Sequence, residues 1–267
     1  MSASADAYLQ AQLFLQTLAL TQPRILAMCL MLPIFNRQLI PGLLRYAISA
    51  GIGLVLVPML LPQYIVADMD LMRVVQIVVK EVFIGLVIGF LVAIPFWIFE
   101  AVGFIVDNQR GASLGAIINP ATGNDSSPLG ILFNQAFMVF FLVSGGFSLM
   151  LTMLYDSFRL WSLWSWAPVL RQESIPLLLD QFSRLMRLTL LWAAPAVIAM
   201  FLAEVGLALA SRFAPQLQVF FLAMPIKSAL ALLVLVLYMG TLFEYAADTS
   251  EQIQSILPFL NEQWGMP

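Results

Sequence analysis

DNQRGASLGAIINPATGNDSSPLG, residues 107–130, is the longest run rich in polar, Gly and Pro residues, and long apolar segments flank it on both sides. Clusters of Gly, Asn, Asp, Ser and Pro break helices and form turns. The middle of the run nevertheless contains Leu114, Ala116, Ile117 and Ile118, which a plain solvated loop would not need. We therefore predict a loop that folds back into a cavity or against a pore.

The composition of the 267-residue chain is that of an integral membrane protein. It is 61% hydrophobic and 10% charged, whereas soluble domains carry about 25% charged residues. A net charge of −3 without a Lys/Arg-rich patch argues against nucleic acid as a partner. With no His and a single cysteine, Cys29, an intrachain disulfide, a usual zinc site and a His-based triad are excluded. We expect no enzyme activity, no cofactor and no metal.

Apolar stretches alternate with short polar connections along the chain. Six of them stand out, at residues 13–32, 43–61, 74–106, 131–154, 182–210 and 217–243. Each has about the 20 residues that a helix needs to cross roughly 30 Å of hydrocarbon. We predict an all-α, polytopic membrane-type protein of about six long, partly broken helices arranged as antiparallel hairpins. A single helical domain is expected over residues 1–243, followed by an acidic amphipathic tail over residues 244–267.

Two of these stretches contain residues that are unusual in a simple span. At 1.5 Å per residue, a helix over residues 74–106 would be roughly 50 Å long, which exceeds the bilayer core. Pro95 is its natural break point, so we predict a helix broken or bent there. In the fourth stretch, Gly145-Gly146 predicts close helix packing without a functional role.

Charged residues also occur inside the apolar stretches: Arg24, Lys80, Glu81, Glu100, Glu204 and Lys227. A charge at the centre of a spanning helix costs about 2.5–3.5 kcal/mol on insertion scales, so these side chains should face protein or water. Lys80 and Glu81 are adjacent, and we predict that they point in different directions toward separate partners. Arginines occur in both sets of loops, so the positive-inside rule gives no orientation.

Glu204 and Lys227 are equally far from the turn at residues 212–216. In an antiparallel hairpin, residues equidistant from the turn lie at the same level. We therefore predict that the two side chains meet and neutralise each other's charge. The alternative is that each faces a different partner subunit.

Several motifs occur in a characteristic order: DNQRGA at 107–112, Asn119-Pro120, Glu204, SRFAPQ at 211–216 and Lys227-Ser228. In this combination the chain resembles the T component (SctT) of the type III secretion export apparatus, which is homologous to the flagellar export protein FliR. DNQRGA and SRFAPQ are the specific blocks, and the wording of the first is closer to the injectisome branch. The resemblance extends from Arg24 to about Tyr238.

The resemblance implies a structural and channel-forming subunit of the bacterial inner-membrane export gate, acting in protein secretion and virulence. Its partners would be the R and S components, together with the U and V components and the base of the inner rod and needle. Unfolded secreted proteins would pass through the shared conduit, with membrane lipid around it. Hairpins of such subunits are raised towards the periplasmic side. The resemblance assigns no catalytic site.

The family also has a loop that enters the lumen as a plug, and by position it corresponds to residues 111–124. The implied gate residues are Gly111, Ala112, Ser113, Leu114, Gly115, Ile117, Ile118, Asn119 and Pro120. Buried charges that support assembly are predicted at Asp107, Arg110, Glu204, Arg212 and Lys227. Simpler interpretations stay open: an Asp107–Arg110 ion pair at a helix end, C-caps at Gly111 and Gly115, and ordinary core positions for Ile117 and Ile118.

A stand-alone secondary transporter or ion channel is the alternative function. Transporters use broken helices and buried charges near mid-membrane, and Glu100, Glu204 and Lys227 offer a proton or ion relay. The six stretches show no internal duplication, and the ionisable residues are sparse. Both observations favour the export-gate interpretation.

Overall fold

A computed structural model describes residues 2–36, 39–64, 70–112, 127–165, 174–213 and 219–264. Within these ranges the regular structure is helical, without strands, which confirms the all-α prediction. The helices are α1 (Ser2–Met31), α2 (Gly42–Leu54), α3 (Val57–Tyr64), α4 (Leu71–Arg110), α5 (Pro128–Val143), α6 (Gly146–Leu160), α7 (Ser174–Ser211) and α8 (Val219–Trp264), with a 3-10 turn at Pro33–Phe35.

The described helices provide four to six candidate membrane-spanning segments, compared with the six predicted apolar stretches. In the described residues, α1, α4, α7 and α8 each contain a segment long and apolar enough to cross a membrane. The pairs α2–α3 and α5–α6, each interrupted by a short break, raise the number to six if each pair forms one span. The axes of α2 and α3 differ by 64°. By helix length and composition, the chain is a multi-pass membrane protein.

Of the two alternatives predicted at Pro95, a break is wrong, and a bend stays a prediction. α4 continues through Pro95 as one helix of 40 residues. Proline removes one backbone hydrogen bond, but membrane helices tolerate it where neighbouring groups pack around the freed carbonyl. Leu91, Ile94 and Phe96 are all buried, so this part of α4 is enclosed by protein.

A break occurs instead at Ser144-Gly145, between α5 and α6. Gly145 has a φ of 85°, in the left-handed region that only glycine adopts without strain. A Cβ atom placed on Gly145 would meet no atom within 4 Å. The prediction of close packing is therefore wrong for Gly145, which instead forms the turn that ends one helix and begins the next.

The chain divides into two compact units. The first combines Met1–Ala93, Gly145–Leu177 and Gln252–Pro267, and the second combines Ile94–Ser144 and Leu178–Glu251. α4 and α8 therefore each give one part to the first unit and the other part to the second. α8 also continues without interruption through Glu244.

In the first unit, two glycines of α4 let it approach α1 closely. A Cβ on Gly85 would collide with the backbone carbonyl of Arg24, and a Cβ on Gly89 would lie 2.9 Å from Met28 O. The two helices thus contact each other through their backbones, as small residues commonly allow in membrane proteins. Ile25 and the Met28 side chain are buried beside this contact.

In the second unit, α4 and α5 form an antiparallel hairpin. The rings of Phe96 and Phe137 meet edge to face with centroids 4.7 Å apart, and Phe99 stacks on Phe137 at 4.8 Å. Nearer the helix ends, Asn134 Nδ2 donates a hydrogen bond to Glu100 Oε2 at 2.7 Å. Residue numbers rise along α4 as those of their partners fall along α5, as expected for antiparallel helices. The register of the hairpin is therefore set by contacts along its length.

Candidate functional site

α4 ends in a motif that fixes the direction of the chain as it leaves the helix. Gly111 has a φ of 86°, and its N–H donates to Asn108 O at 3.2 Å. The N–H of Ala112 donates to Asp107 O at 3.0 Å. These two bonds define a Schellman motif. The interpretation of Gly111 as a helix C-cap is confirmed, whereas Gly115 lies outside the described residues.

Asp107 joins the end of α4 to the beginning of α5. Its Oδ2 accepts hydrogen bonds from Ser127 Oγ at 2.6 Å and from Leu129 N at 2.9 Å. Ser127 is the N-cap of α5, and its Oγ accepts from Gly130 N at 2.8 Å. A carboxylate at a helix N-terminus satisfies free N–H groups and interacts favourably with the helix dipole. This contact was not predicted from the sequence, although Ser127 followed by Pro128 is a recognisable helix start.

Arg110 connects the same site to α8. Its Nε lies 2.7 Å from Asp107 Oδ1, which confirms the predicted ion pair at the helix end. Its Nη1 donates to Ser228 Oγ at 3.3 Å. An open cavity of about 350 Å³ lies beside these groups, lined by Arg110, Gly111, Ala112, Met224, Pro225 and Ser228.

One helical turn below Asp107, the backbones of α4 and α5 touch. A Cβ on Gly103 would lie 2.5 Å from Gly130 N, and a Cβ on Gly130 would lie 3.0 Å from Glu100 O. Real Cβ atoms are not found at 2.5 Å from a backbone atom. The two helices are thus held at their closest approach by Gly103 and Gly130, directly beneath the ends that Asp107 joins.

The predicted contact between Glu204 and Lys227 is confirmed. Lys227 Nζ lies 3.2 Å from Glu204 Oε2, linking α8 to α7. The pair is less enclosed than predicted, since the Glu204 side chain is 50% exposed and that of Lys227 is 12% exposed. Arg212 is exposed rather than buried, because it lies in the turn just beyond the end of α7.

The partial exposure of Glu204 limits what its contact with Lys227 contributes. A double-mutant cycle of Glu204→Ala and Lys227→Ala, read from unfolding of the purified protein in detergent, is expected to give a coupling of about 0.2–1 kcal/mol. Strict additivity of the two single changes would show that the residues are not coupled.

A second charge cluster lies inside the first unit, centred on Arg24. Its guanidinium binds Glu81 through two bonds, Nε to Oε2 at 2.6 Å and Nη2 to Oε1 at 2.9 Å, and both side chains are fully buried. Nη1 also donates to Ser157 Oγ, and Nη2 to Trp161 O, each at 3.0 Å. The Phe158 ring covers the guanidinium at 3.9 Å. This confirms that the charge faces protein, although its partner was not predicted.

Lys80 extends this cluster to the turn that follows α6. Its Nζ donates to Ser162 O, Leu163 O and Ser165 O at 2.9, 2.9 and 3.0 Å, and lies 3.2 Å from Glu81 Oε1. The prediction of separate partners is confirmed, since Glu81 binds Arg24 and Lys80 binds the carbonyls of the turn. The prediction that the two side chains point apart is wrong, because the long lysine side chain reaches back to its neighbour. Lys80 thus supplies hydrogen-bond donors to backbone carbonyls of a non-helical turn. Inside a membrane, such carbonyls have no water to bind and need a donor from the protein itself.

The sequence profile of the family described as "Bacterial export proteins, family 1" matches residues 15–253. The chain belongs to this family. "Yop proteins translocation protein T" of Yersinia pestis is 39% identical over 253 residues, which covers 93% of this chain and 97% of that protein. "Secretion system apparatus protein SsaT" of Salmonella typhimurium is 34% identical over 235 residues, covering 85% and 88%. "Flagellar biosynthetic protein FliR" of Bacillus subtilis is 27% identical over 165 residues, covering 61% and 64%.

The gate residues predicted for this bacterial export protein are only partly within the described structure. Gly111 and Ala112 form the end of α4 and line the cavity beside Arg110. The others lie outside the described residues: Ser113, Leu114, Gly115, Ile117, Ile118, Asn119 and Pro120. Their role in gating stays a prediction, as does a role of the charged residues in assembly.

Proposed function

We propose that the chain is the T component of the export gate of a type III protein secretion system. In this role it helps form and close the inner-membrane conduit for unfolded proteins. One observation carries the proposal: the chain is 39% identical over nearly full length to a protein named for translocation of Yop proteins. The multi-pass helical fold supports a place in a membrane. We propose that this is the bacterial inner membrane, with hairpins raised towards the periplasmic side.

The apolar surface of α7 and α8 supports an assembled state. Only 17% of the most apolar stretch of each of these two helices is buried within the chain, compared with 72% of the most apolar stretch of α4. Phe201 and Leu202 on α7, and Val236 and Leu237 on α8, are strongly exposed. Such a surface has to be covered by lipid or by other proteins. We propose the R and S components as the neighbours in the gate, with the U and V components and the base of the inner rod and needle nearby.

We further propose that residues 111–120 act as the gate. We call residues 113–126 the central segment. The described residues on both sides of it are held by hydrogen bonds, those of the Gly111 cap on one side and that of Ser127 on the other. The intervening sequence is rich in glycine and has an apolar centre. Glycines permit displacement by a passing chain, and apolar side chains exclude water and ions from a closed pore.

The six charged residues that the sequence singled out inside the apolar stretches are engaged in structural contacts, which argues against a stand-alone transporter. Glu100 accepts from Asn134, and Glu204 contacts Lys227. Arg24 and Lys80 form the cluster around Glu81. A proton or ion relay would require such groups to be free along a path.

Deleting residues 113–119 tests the gate proposal, because this change spares the Gly111 cap and Asp107. The deletion is expected to raise ion leakage several-fold, since the apolar obstruction is removed. Leakage is measured in cells or liposomes that contain the complete gate, normalised to the R and S components that co-purify. Unchanged leakage in an assembled variant would remove the central segment from gating. A stable monomer that transports a solute in liposomes would contradict the export-gate assignment itself.

A further inference from the structure

We propose that Asp107 is a positioning residue that holds the two ends of the central segment together, and that Arg110 connects this hold to α8. The proposal rests on the gate function proposed for that segment. The base of the gate is the place where α4 ends and α5 begins, and we infer that the Asp107 carboxylate sets the distance between these two helix ends. Asp107 is only 3% exposed, so water cannot replace the bonds that it makes.

The two oxygens of Asp107 have separate tasks. Oδ2 receives Ser127 Oγ and Leu129 N, and so fixes the beginning of α5. Oδ1 faces Arg110, whose Nη1 reaches Ser228 on α8. Removal of this carboxylate would leave the Leu129 N–H without its acceptor and Arg110 without its counter-charge. Asp107 therefore joins α4 to α5 directly, and is linked to α8 through Arg110.

The contact between Gly103 and Gly130 explains why Asp107 acts on position as well as on stability. The backbones of α4 and α5 are in contact at that level. One turn above it, at the ends of the helices, the described contacts between α4 and α5 are those of Asp107. Without them, the two ends are free to separate from a pivot at Gly103. The base of the central segment would then widen while the body of the hairpin stays packed.

The bonds at this site differ in strength. Those of Asp107 to α5 are short and charge-assisted, at 2.6 and 2.9 Å, whereas Arg110 reaches Ser228 at 3.3 Å. Displacement at the gate should therefore release Ser228 before it releases Ser127.

The chain contains a matched control for these charges. Asp156 and Arg159 near the end of α6 also form an i,i+3 pair, with 3.2 Å between Oδ1 and Nη1. That pair is exposed, and among the described residues it makes no hydrogen bond or ion pair with another helix. Asp156→Ala thus removes an equivalent carboxylate without opening the base of the central segment.

The first experiment measures ion leakage through the assembled gate. Asp107→Ala is expected to leak several-fold more than the wild type, and Asp107→Asn less than Asp107→Ala, because an amide oxygen still accepts one hydrogen bond. Asp156→Ala should match the wild type. The proposal would be overturned if Asp107→Ala shows wild-type leakage while deletion of residues 113–119 raises leakage. If the deletion also shows wild-type leakage, the proposed gate function itself is wrong.

The second experiment compares two redox states of one protein, so that a folding defect cannot decide the result. Asp107→Cys and Ser127→Cys are combined with Cys29→Ala in the complete gate. Leakage should be high with the thiols reduced, and near wild type once an added oxidant has joined them as a disulfide. Equal leakage in both states would overturn the proposal. Failure of the pair to oxidise would contradict the Asp107–Ser127 contact on which the proposal is built.

Discussion

Glu81→Ala is expected to prevent recovery of the folded protein, because it leaves Arg24 fully buried without a counter-charge. Removing one partner of a buried ion pair costs about 3–5 kcal/mol, a large part of the roughly 5–15 kcal/mol by which proteins are stable. Lys80 loses a neighbouring charge as well, since its Nζ lies 3.2 Å from the same carboxylate. The effect is measured as the yield and thermal unfolding of the purified protein in detergent.

Two further variants separate the lost pairing from a general effect of mutation. Asp156→Ala removes an exposed carboxylate of another ion pair and should unfold like the wild type. Arg24→Met combined with Glu81→Leu removes both buried charges, and should be more stable than Glu81→Ala alone. A Glu81→Ala protein that unfolds at the wild-type temperature would show that the cluster does not stabilise the first unit.

Gly103→Ala should have the second large effect, because the added methyl group would lie 2.5 Å from Gly130 N. The obstructing atom belongs to the backbone of α5, so relief requires the hairpin to separate. Overpacking of this kind costs typically about 1–3 kcal/mol, and backbone displacement here would also strain the Asp107 contacts above it. We expect a lower unfolding temperature and less assembled complex.

Gly206→Ala is the control for this prediction. Gly206 also lies within a long helix of the second unit, and a Cβ there would meet no atom within 4 Å. Alanine at such a helix position is expected to stabilise the purified protein, by about 0.5–1 kcal/mol. Equal effects of the two substitutions would show that the close approach of Gly103 and Gly130 is unimportant.

The features that sequence reasoning predicted correctly depend on local periodicity or on simple geometry. Apolar length alone predicts the helical segments, although two of the six stretches are each divided into two helices in the described structure. The Glu204–Lys227 contact follows from equal distances to one turn, because an antiparallel hairpin aligns such positions. The ion pair of Asp107 and Arg110 follows from i,i+3 spacing on a helix.

The features that were missed depend on contacts between distant parts of the chain. Arg24 and Glu81 are 57 residues apart, and no local rule pairs them. The prediction at Pro95 relied on backbone preference, which tertiary packing overrides inside the buried α4. Asp107 faces Ser127 across the central segment, so its capping role appears only once α4 and α5 are packed together.

The two units also constrain how the protein can be made. The chain passes between them after residues 93, 144, 177 and 251, and the first unit takes its final piece from Gln252 onward. The second unit is complete only when Glu251 has been added, and the first only with the piece that begins at Gln252. Premature termination upstream of Glu251 therefore leaves both units incomplete, and we expect such truncated chains to be degraded.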